Sequence, residues 1–376
     1  MSFRFIHSSD LHIGRRFANI PEAADGNIRG RLMEARHGAL SRLAQAARDH
    51  GAAHVLLAGD TFDTATPSPG VIRHALATMG EDPAITWWIL PGNHDNLRDA
   101  EPLWDTIRAD APANIRAVTI AAPLKMDETA VLLPCPVAFR ASASDPTEPL
   151  ATLPSGDGQL RIALAHGGVT DFTESGAAIA PDRDRSARLD YLALGDWHGR
   201  RAISDRVHYS GTPEQDRFKH GARGVCLAVA IDAPGATPRI EEVETGQFHW
   251  DTRAVPLTSG QDAAEALAAV LPGAARRDIL LRIEASGWAG LPARAALQEA
   301  AARAAPDFAH FELLTAQLGT LYDTTDLDDI DTGGALRIAA ETLLNDAESD
   351  DLSQDDRQVA GDALARLYAY VRGGME

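Results

Sequence analysis

Lysine is almost missing from this chain. Of its 35 basic residues, only Lys125 and Lys219 are lysines, and acidic residues outnumber basic ones, giving a formal net charge of −19 at pH 7. Binding nucleic acid through bulk charge requires clustered lysine and arginine, because the phosphate backbone dominates that binding. The composition therefore argues against a protein that coats nucleic acid. Any phosphate-bearing partner must be attracted by metal ions, by local arginines or by another protein.

Cysteines and long apolar segments are also scarce. Two cysteines in 376 residues provide no disulfide framework, and we expect Cys135 and Cys226 to be buried and reduced. No stretch approaches the ~20 apolar residues needed to span a membrane. The amino terminus begins directly with a strand-like run, so we expect no secretory signal. These features predict a cytoplasmic protein without membrane contact.

The length allows more than one domain, because single cores rarely grow beyond ~250–300 residues. We expect a large domain at 1–248, a smaller α/β domain at 249–322, and an acidic linker with C-terminal helices at 323–376. The last helix is predicted to start at Ser353 with a capping box, and either to fold back on its own domain or to bind a partner. Its predicted apolar face comprises Val359, Ala363, Leu367 and Tyr370.

Helical and extended patterns alternate along the first 230 residues. Apolar residues at helical spacing between 32 and 47 precede a strand-like run at 55–58, and a second short helix precedes another run at 85–90. This alternation predicts βαβ units and a mixed α/β fold. Later extended runs, among them 225–231, predict a second sheet packed on the first.

Five short polar segments carry residue types that hold metal ions. Four of them directly follow an apolar run, which places them at the carboxyl ends of strands, where open α/β sheets bind their ligands. A pair of cations held at such a point is able to hydrolyse phosphoesters. The segments are 10–12, 59–63, 92–95, 166–168 and 195–198, and they read DLH, GDTFD, GNHD, HGG and GDWH.

In this order the five segments resemble the calcineurin-like metallophosphoesterase superfamily. The sequences at 5–15, 58–69 and 209–214 resemble its Mre11/SbcD nuclease branch, and within it the YhaO-like bacterial DNA-repair exonucleases. The resemblance covers roughly residues 1–230. It implies a two-sheet β-sandwich flanked by helices, followed by a small α/β domain in the position of the cap that helps to seat DNA.

The resemblance also assigns the polar residues to two divalent metals. Mixed carboxylate, amide and imidazole ligands suit Mn²⁺, Fe or Zn, and the resemblance favours manganese. If residues 10–12 and 196–198 are extended, side chains two positions apart point the same way and reach one cation together. The expected ligands are Asp10, His12 and His198 for the first metal, Asp60 bridging both, and Asn93, His166 and Asp196 for the second.

Other residues are expected to act around these metals. The resemblance implies that a hydroxide held between the metals attacks phosphorus, and that His94 faces the scissile phosphate. Asp95 is expected to orient and charge the His94 ring. Asp63 is expected to brace its loop through backbone hydrogen bonds. Arg15 and Arg16 either hold a DNA phosphate or are ordinary surface residues.

The chain departs from the nuclease branch at Asp196. Members of the branch usually have histidine there, in a G-H-x-H segment, whereas this chain reads GDWH. A carboxylate is able to bind the second cation directly, which would lower its Lewis acidity. Alternatively, Asp196 binds the metal through a water molecule or only contacts another ligand, or the site has lost its catalytic activity.

The leading hypothesis is a metal-dependent DNA exonuclease or endonuclease acting in DNA repair. A Rad50/SbcC-like (YhaN-like) ATPase is the partner that the resemblance implies, and a homodimer is an open alternative to a monomer. Two other functions remain open. The acidic composition favours a phosphodiesterase or phosphatase acting on a nucleotide or another small molecule, and Asp196 alone favours a non-catalytic scaffold.

Overall fold

A computed structural model of the chain describes residues 2–22, 26–141, 144–169, 178–321, 327, 330–331 and 334–373. The chain forms two compact units, Met1–His249 and Trp250–Glu376. Within the described ranges, no helix is long and apolar enough to cross a membrane. Both cysteines are buried and free, as expected.

The first unit is built from two six-stranded sheets with helices around them. Its strands are β1 (Phe3–Ser8), β2 (His54–Leu57), β3 (Thr86–Ile89), β4 (Ile115–Ala117), β5 (Leu124–Lys125), β6 (Ala130–Cys135), β7 (Leu160–His166), β8 (Tyr191–Gly195), β9 (Arg201–Ala202), β10 (Val207–Tyr209), β11 (Val225–Ile231) and β12 (Arg239–Glu244). Its helices are α1 (Ile28–Asp49), α2 (Pro69–Gly80), α3 (Glu101–Asp110) and α4 (Arg183–Ser186).

Parallel strands form the centre of both sheets. The first sheet has the order β12-β11-β1-β2-β3-β4, in which β1 to β4 are parallel and β11 is antiparallel to β1. The second has the order β5-β6-β7-β8-β10-β9, with β6, β7, β8 and β10 parallel. Parallel strands are covered on both faces, which explains the continuous apolar runs in the sequence.

The two sheets pack face to face. One apolar cluster joins Phe5, Leu56 and Trp88 of the first sheet to Leu164 and Tyr191 of the second. A separate cluster lies between the first sheet and α1 to α3, and another covers the far face of the second sheet. These layers confirm the predicted α/β fold of two sheets flanked by helices.

The second unit is a smaller α/β assembly. Its three strands form a sheet of order β13-β14-β15, with β14 and β15 parallel and joined through α6. Its elements are β13 (His249–Leu257), α5 (Ala263–Val270), β14 (Ile279–Gly290), α6 (Leu291–Ala304), β15 (His310–Leu321), α7 (Ala335–Glu348) and α8 (Gln354–Gly373).

The last helix begins where the sequence predicted. Ser353 Oγ accepts the Asp356 backbone N–H at 3.1 Å and donates to the Asp356 carboxylate at 2.7 Å. The helix folds back onto its own unit and shares an apolar cluster with α6 and α7. The predicted apolar face was wrong in part: Val359 and Tyr370 are 67% and 87% exposed, whereas Leu367 packs against this cluster. The residues that are buried are Ala360, Leu364, Ala365 and Tyr368.

A buried arginine fastens α8 to the rest of this unit. Arg294 of α6 is 1% exposed, and it donates to the Leu318 carbonyl at 2.6 Å and to the Asp362 carboxylate on α8. Asp362 is 36% exposed, so the buried partner in this ion pair is the arginine, whose charge is compensated by the carboxylate. Arg294 therefore connects α6, β15 and α8.

We expect Arg294→Leu to lower the free energy of unfolding by about 2 kcal/mol, because the Leu318 carbonyl loses the buried Arg294 donor and the Asp362 carboxylate loses its cation. Denaturant titration measures the change. The matched control is Arg303→Leu on the same helix, whose side chain is 68% exposed in its pair with Glu299. That change should cost less than about 0.5 kcal/mol. Equal effects of the two substitutions would contradict the role of Arg294.

Candidate metal centre

The five polar segments lie together where the parallel strands of the first unit end. Backbone hydrogen bonds join the segment after β1 to the segment after β2: Asp10 N–H donates to the Gly59 carbonyl at 3.1 Å, and His12 N–H donates to the Asp60 carbonyl at 2.9 Å. The segment after β3 is attached by the His94 N–H, which donates to Asp60 Oδ1 at 2.9 Å. Asp60 is therefore at the centre of the arrangement.

The side chains converge for a different reason from the one predicted. Asp10 and His12 do not lie on an extended strand, since β1 ends at Ser8 and their φ angles are +55° and +44°. Asp60 and Asp196 also have positive φ, at +53° and +99°. Non-glycine residues adopt this region rarely, and such strain concentrates at functional sites. Left-handed turns, and not strand alternation, direct these side chains into the site.

Two glycines allow the segments to approach closely. A Cβ atom on Gly59 would lie 2.3 Å from His166 Nδ1, and a Cβ atom on Gly92 would lie 2.2 Å from Asp60 Oδ1. No side chain is tolerated at such distances. Glycine at these two positions is therefore required for His166 and Asp60 to occupy their places.

The first group of candidate ligands is Asp10, His12 and His198, whose donor atoms all lie within 4.8 Å of one another. Asp10 Oδ1 is 4.0 Å from His198 Nε2, and the rings of His12 and His198 stack with centroids 5.0 Å apart. The structure thus brings together the three residues predicted for one metal.

Each histidine of this group has a carboxylate behind it. His198 Nδ1 is 3.2 Å from Asp216 Oδ1, and His12 Nδ1 is 3.2 Å from Asp63 Oδ1. A carboxylate behind a ligating histidine fixes the orientation of the ring and raises its basicity. Asp63 also donates its backbone N–H to the Ile13 carbonyl at 3.1 Å, so it braces the loop as predicted and supports His12 as well.

The second group contains Asp60, His166, Asn93 and Asp196. His166 Nδ1 donates to the Ala58 carbonyl at 2.8 Å, so its Nε2 is left facing the site. That Nε2 lies 3.6 Å from Asp60 Oδ2 and 3.8 Å from Asp196 Oδ1. Asn93 Nδ2 donates to the same Asp196 oxygen at 3.2 Å. The Asp196 carboxylate therefore reaches the second group despite its departure from the nuclease branch.

Asp60 occupies the position of a shared ligand. Its Oδ2 lies 3.6 Å from His12 Nε2 of the first group and 3.6 Å from His166 Nε2 of the second. Burial raises the pKa of Asp60 to about 6; the His166 ring opposes this rise and the Asp10 carboxylate adds to it. Burial alone would lower the pKa of His166, but the carboxylates of Asp60, Asp10 and Asp196 raise it to about 9. The cavity strongly favours positive charge.

The residues fit divalent cations. Among the described residues, His12 Nε2, His166 Nε2 and Asn93 Oδ1 are buried and have no hydrogen-bond partner. Leaving a buried polar atom without a partner costs ~1–3 kcal/mol, and nitrogen and oxygen atoms beside carboxylates are a donor set for divalent metals. One cation would be held by Asp10, His12, Asp60 and His198, and the other by Asp60, Asn93, His166 and Asp196.

His94 lies at the edge of this cluster. Its Nδ1 donates to the Asp63 carbonyl at 2.8 Å, and its Nε2 has no hydrogen bond to a residue that the structure describes. Its ring stands edge-on to His12 with centroids 4.8 Å apart, and its nearest nitrogen lies within 4.8 Å of donor atoms of His12 and Asp60. The geometry is compatible with a ring that acts on a phosphate placed at the cluster.

The prediction that Asp95 orients His94 is wrong. Both carboxylate oxygens of Asp95 accept backbone N–H groups, Oδ1 from Gly92 at 2.7 Å and Oδ2 from Phe62 at 3.1 Å. Asp95 is wholly buried, and its carboxylate is engaged by these two N–H groups while the His94 ring bonds to the Asp63 carbonyl. The Asp63 carbonyl orients His94 instead, and Asp95 fixes the two loops to each other.

Asp216 and Arg36 are site residues that the sequence did not reveal. Asp216 is buried beside three arginines: its oxygens lie 3.0 Å from Arg15 and from Arg217 and 3.7 Å from Arg36. Burial alone would raise the pKa of Asp216, but His198, Arg36 and Arg217 hold it well below its ordinary value. Arg36 also donates to the Leu11 and Glu214 carbonyls. No local motif marks residues that act over such sequence distances.

Comparison with protein families gives a match over the segments that form this site. A family model described as calcineurin-like phosphoesterase matches residues 3–198. The solved structure of the protein TT1561 of Thermus thermophilus is similar at 11% sequence identity, with a TM-score of 0.39, over 64% of this chain and 99% of that one. No match to a curated protein was found. Since the family model spans more than half of the chain, the chain belongs to the calcineurin-like phosphoesterase family, whose members use divalent metals.

Proposed function

We propose that this chain is a metal-dependent phosphodiester hydrolase that cleaves DNA. The observation that carries the proposal is the position of Asp60 Oδ2, 3.6 Å from a histidine of each candidate ligand group. A carboxylate shared between two ligand sets is the arrangement of two-metal phosphoesterases. Two bound cations would supply an activated water and would neutralise charge on the phosphate oxygens.

The protein contributes its own groups to this reaction. His94 Nδ1 donates to the Asp63 carbonyl at 2.8 Å, so Nε2 carries a proton only in the imidazolium form of the ring. In that form Nε2 would donate a hydrogen bond or a proton to an oxygen of the phosphate. A positioned acid or base of this kind contributes ~10²–10⁴-fold in rate. Asp63 therefore supports two histidines at once, His12 through its carboxylate and His94 through its backbone.

Cations near the cluster support a polyanionic substrate despite the net charge of −19. Arg217 is partly exposed, and one of its nitrogens lies 3.3 Å from both ring nitrogens of His198. Lys219 lies 5.4 Å from the centroid of the Trp197 ring, next to the ligand His198 in sequence. Local cations provide phosphate contacts where bulk charge does not.

The finer parts of the proposal follow from the resemblance to the Mre11/SbcD branch. The resemblance alone supports three of these parts: manganese as the metal, DNA repair as the biological role, and a Rad50/SbcC-like ATPase as the partner. The small α/β unit after residue 249 occupies the sequence position of the DNA-seating cap, which is a further argument for DNA.

A second candidate function is hydrolysis of a nucleotide or another small phosphodiester. The acidic composition favours it, and so does a cavity of about 320 Å³ beside Asn93, His166 and Asp196, since small ligands are bound in concave sites of ~300–1,000 Å³. Asp196 lies near the second ligand group, so the argument for a non-catalytic scaffold is weakened.

We expect the manganese-loaded protein to degrade linear DNA, and His94→Ala to slow this by ~10²-fold or more because the phosphate loses its acid. The rates are measured side by side on double-stranded DNA, single-stranded DNA and bis(p-nitrophenyl) phosphate. The control is His74→Ala, an exposed histidine on α2, which should leave all rates unchanged. Intact DNA with a hydrolysed diester would favour the second candidate, and an unaltered rate in His94→Ala would refute the role of His94.

The contact between Asp196 and the second ligand group leads to another prediction. Asp196→Asn removes the charge but keeps the size, and we expect the Mn²⁺ concentration for half-maximal hydrolysis to rise ~10–100-fold, as for loss of groups that support a metal. Asp196→His, which restores the residue usual in the branch, should keep wild-type metal dependence. The result against direct participation would be an unchanged manganese requirement in Asp196→Asn.

A further inference from the structure

The cavity beside the second ligand group has a second wall that the hydrolysis itself does not use. Asn93, His166 and Asp196 line one side, and the segment that follows β6 lines the other, including Phe139 and Arg140. The cavity lies entirely within the first unit and encloses about 320 Å³. A phosphate placed at the second ligand group would therefore lie beside a cavity with room for one of its substituents.

Backbone hydrogen bonds fix this wall to the loop that carries the ligands. The Leu97 N–H donates to the Val137 carbonyl at 3.0 Å, and the Arg98 N–H donates to the Ala138 carbonyl at 3.2 Å. Val137 N–H in turn donates to the Pro91 carbonyl at 3.4 Å. Phe139 thus follows a segment with a fixed distance from Asn93 and His94, as a residue that positions substrate requires.

Phe139 is unusual in its exposure. Among the described residues of the first unit, the large apolar side chains that are exposed are Ile120, at 70%, and Phe139, at 51%. Phe139 lines the cavity, and Ile120 adjoins Ala121, which also lines it. Phe139 is thus a large apolar side chain that is half exposed and faces a cavity beside the ligands, where an apolar part of a substrate could cover it.

Cations accompany this aromatic ring. The Arg98 guanidinium lies over the Phe139 ring, 5.4 Å from its centroid, which stabilises the ring in place. Arg140 is exposed and lines the cavity next to Phe139. An aromatic face with a neighbouring arginine is the combination that holds single-stranded nucleic acid, the ring stacking on a base and the cation contacting a phosphate.

We propose that this cavity binds the nucleoside attached to the phosphate under attack, with its base stacked on Phe139 and the next phosphate beside Arg140. The proposal rests on the phosphodiester hydrolysis proposed above and names the substituent it acts on. An alkyl chain would be a poor occupant, because Asn93, Asp196 and Arg140 make much of the wall polar. A bare phosphate would not require the aromatic ring.

The test compares three substrates that share the same leaving group, p-nitrophenol. Thymidine 5′-(p-nitrophenyl phosphate) and its 3′ isomer carry a nucleoside, whereas methyl p-nitrophenyl phosphate carries a methyl group in its place. We expect the manganese-loaded protein to prefer one thymidine ester. Phe139→Ala should lower kcat/KM for that ester about 10-fold, as loss of base stacking does, and change the methyl ester less than about 2-fold. Phe139→Trp should retain the preference, and Phe139→Leu should lose it.

A binding measurement separates recognition from turnover. Calorimetric titration with thymidine 5′-monophosphate and thymidine 3′-monophosphate should show about 10-fold weaker binding of the preferred one to Phe139→Ala than to wild type. Equal loss of both ester activities in Phe139→Ala, or full retention in Phe139→Leu, would overturn the nucleoside site while leaving the hydrolase intact. Hydrolysis of none of the three esters by wild type would overturn the proposed function and this inference with it.

Discussion

The burial of several carboxylates at one edge of the two sheets is the constraint on which the rest of the structure depends. Asp10 and Asp60 are buried within reach of each other, and Asp196 faces the same space. Leaving buried charge without compensation costs several kcal/mol per ion. The raised pKa values of Asp60 and His166, about 6 and about 9, express this demand for positive charge. Divalent cations held by these carboxylates and imidazoles would meet the demand and would supply the chemistry of phosphoester hydrolysis.

The fold meets this constraint by holding each of these histidines through its Nδ1 atom, the ring nitrogen that does not face the candidate metals. Asp216 and Asp63 stand behind His198 and His12, and the Ala58 carbonyl stands behind His166. Arg36, on α1, fixes the carbonyl of Leu11 and lies near Asp216. Because these supports come from separate elements packed in one core, the site is as rigid as the sandwich around it. Such rigidity is what positions a substrate for attack.

Much of this arrangement could be predicted from the sequence. Apolar runs followed by polar segments predicted the strands and predicted that the ligands meet at the strand ends. Hydrophobic periodicity and the position of a residue at a strand end are both local features of the sequence. Contacts between residues that are far apart in the sequence leave no local pattern in it. The support of His198 by Asp216, the true partners of Asp95 and the positive φ angles of Asp10 and His12 all depend on packing. Contacts with α6 and α7 likewise determine which face of α8 is buried.

The account depends on Asp60 serving both candidate metal groups. Manganese titration followed by calorimetry, with bound metal counted by elemental analysis, tests this directly in wild type and in Asp60→Asn. The account predicts two ions per wild-type chain and weakened binding of both in Asp60→Asn. One ion in the wild-type chain, or two ions bound with unchanged affinity by Asp60→Asn, would contradict it.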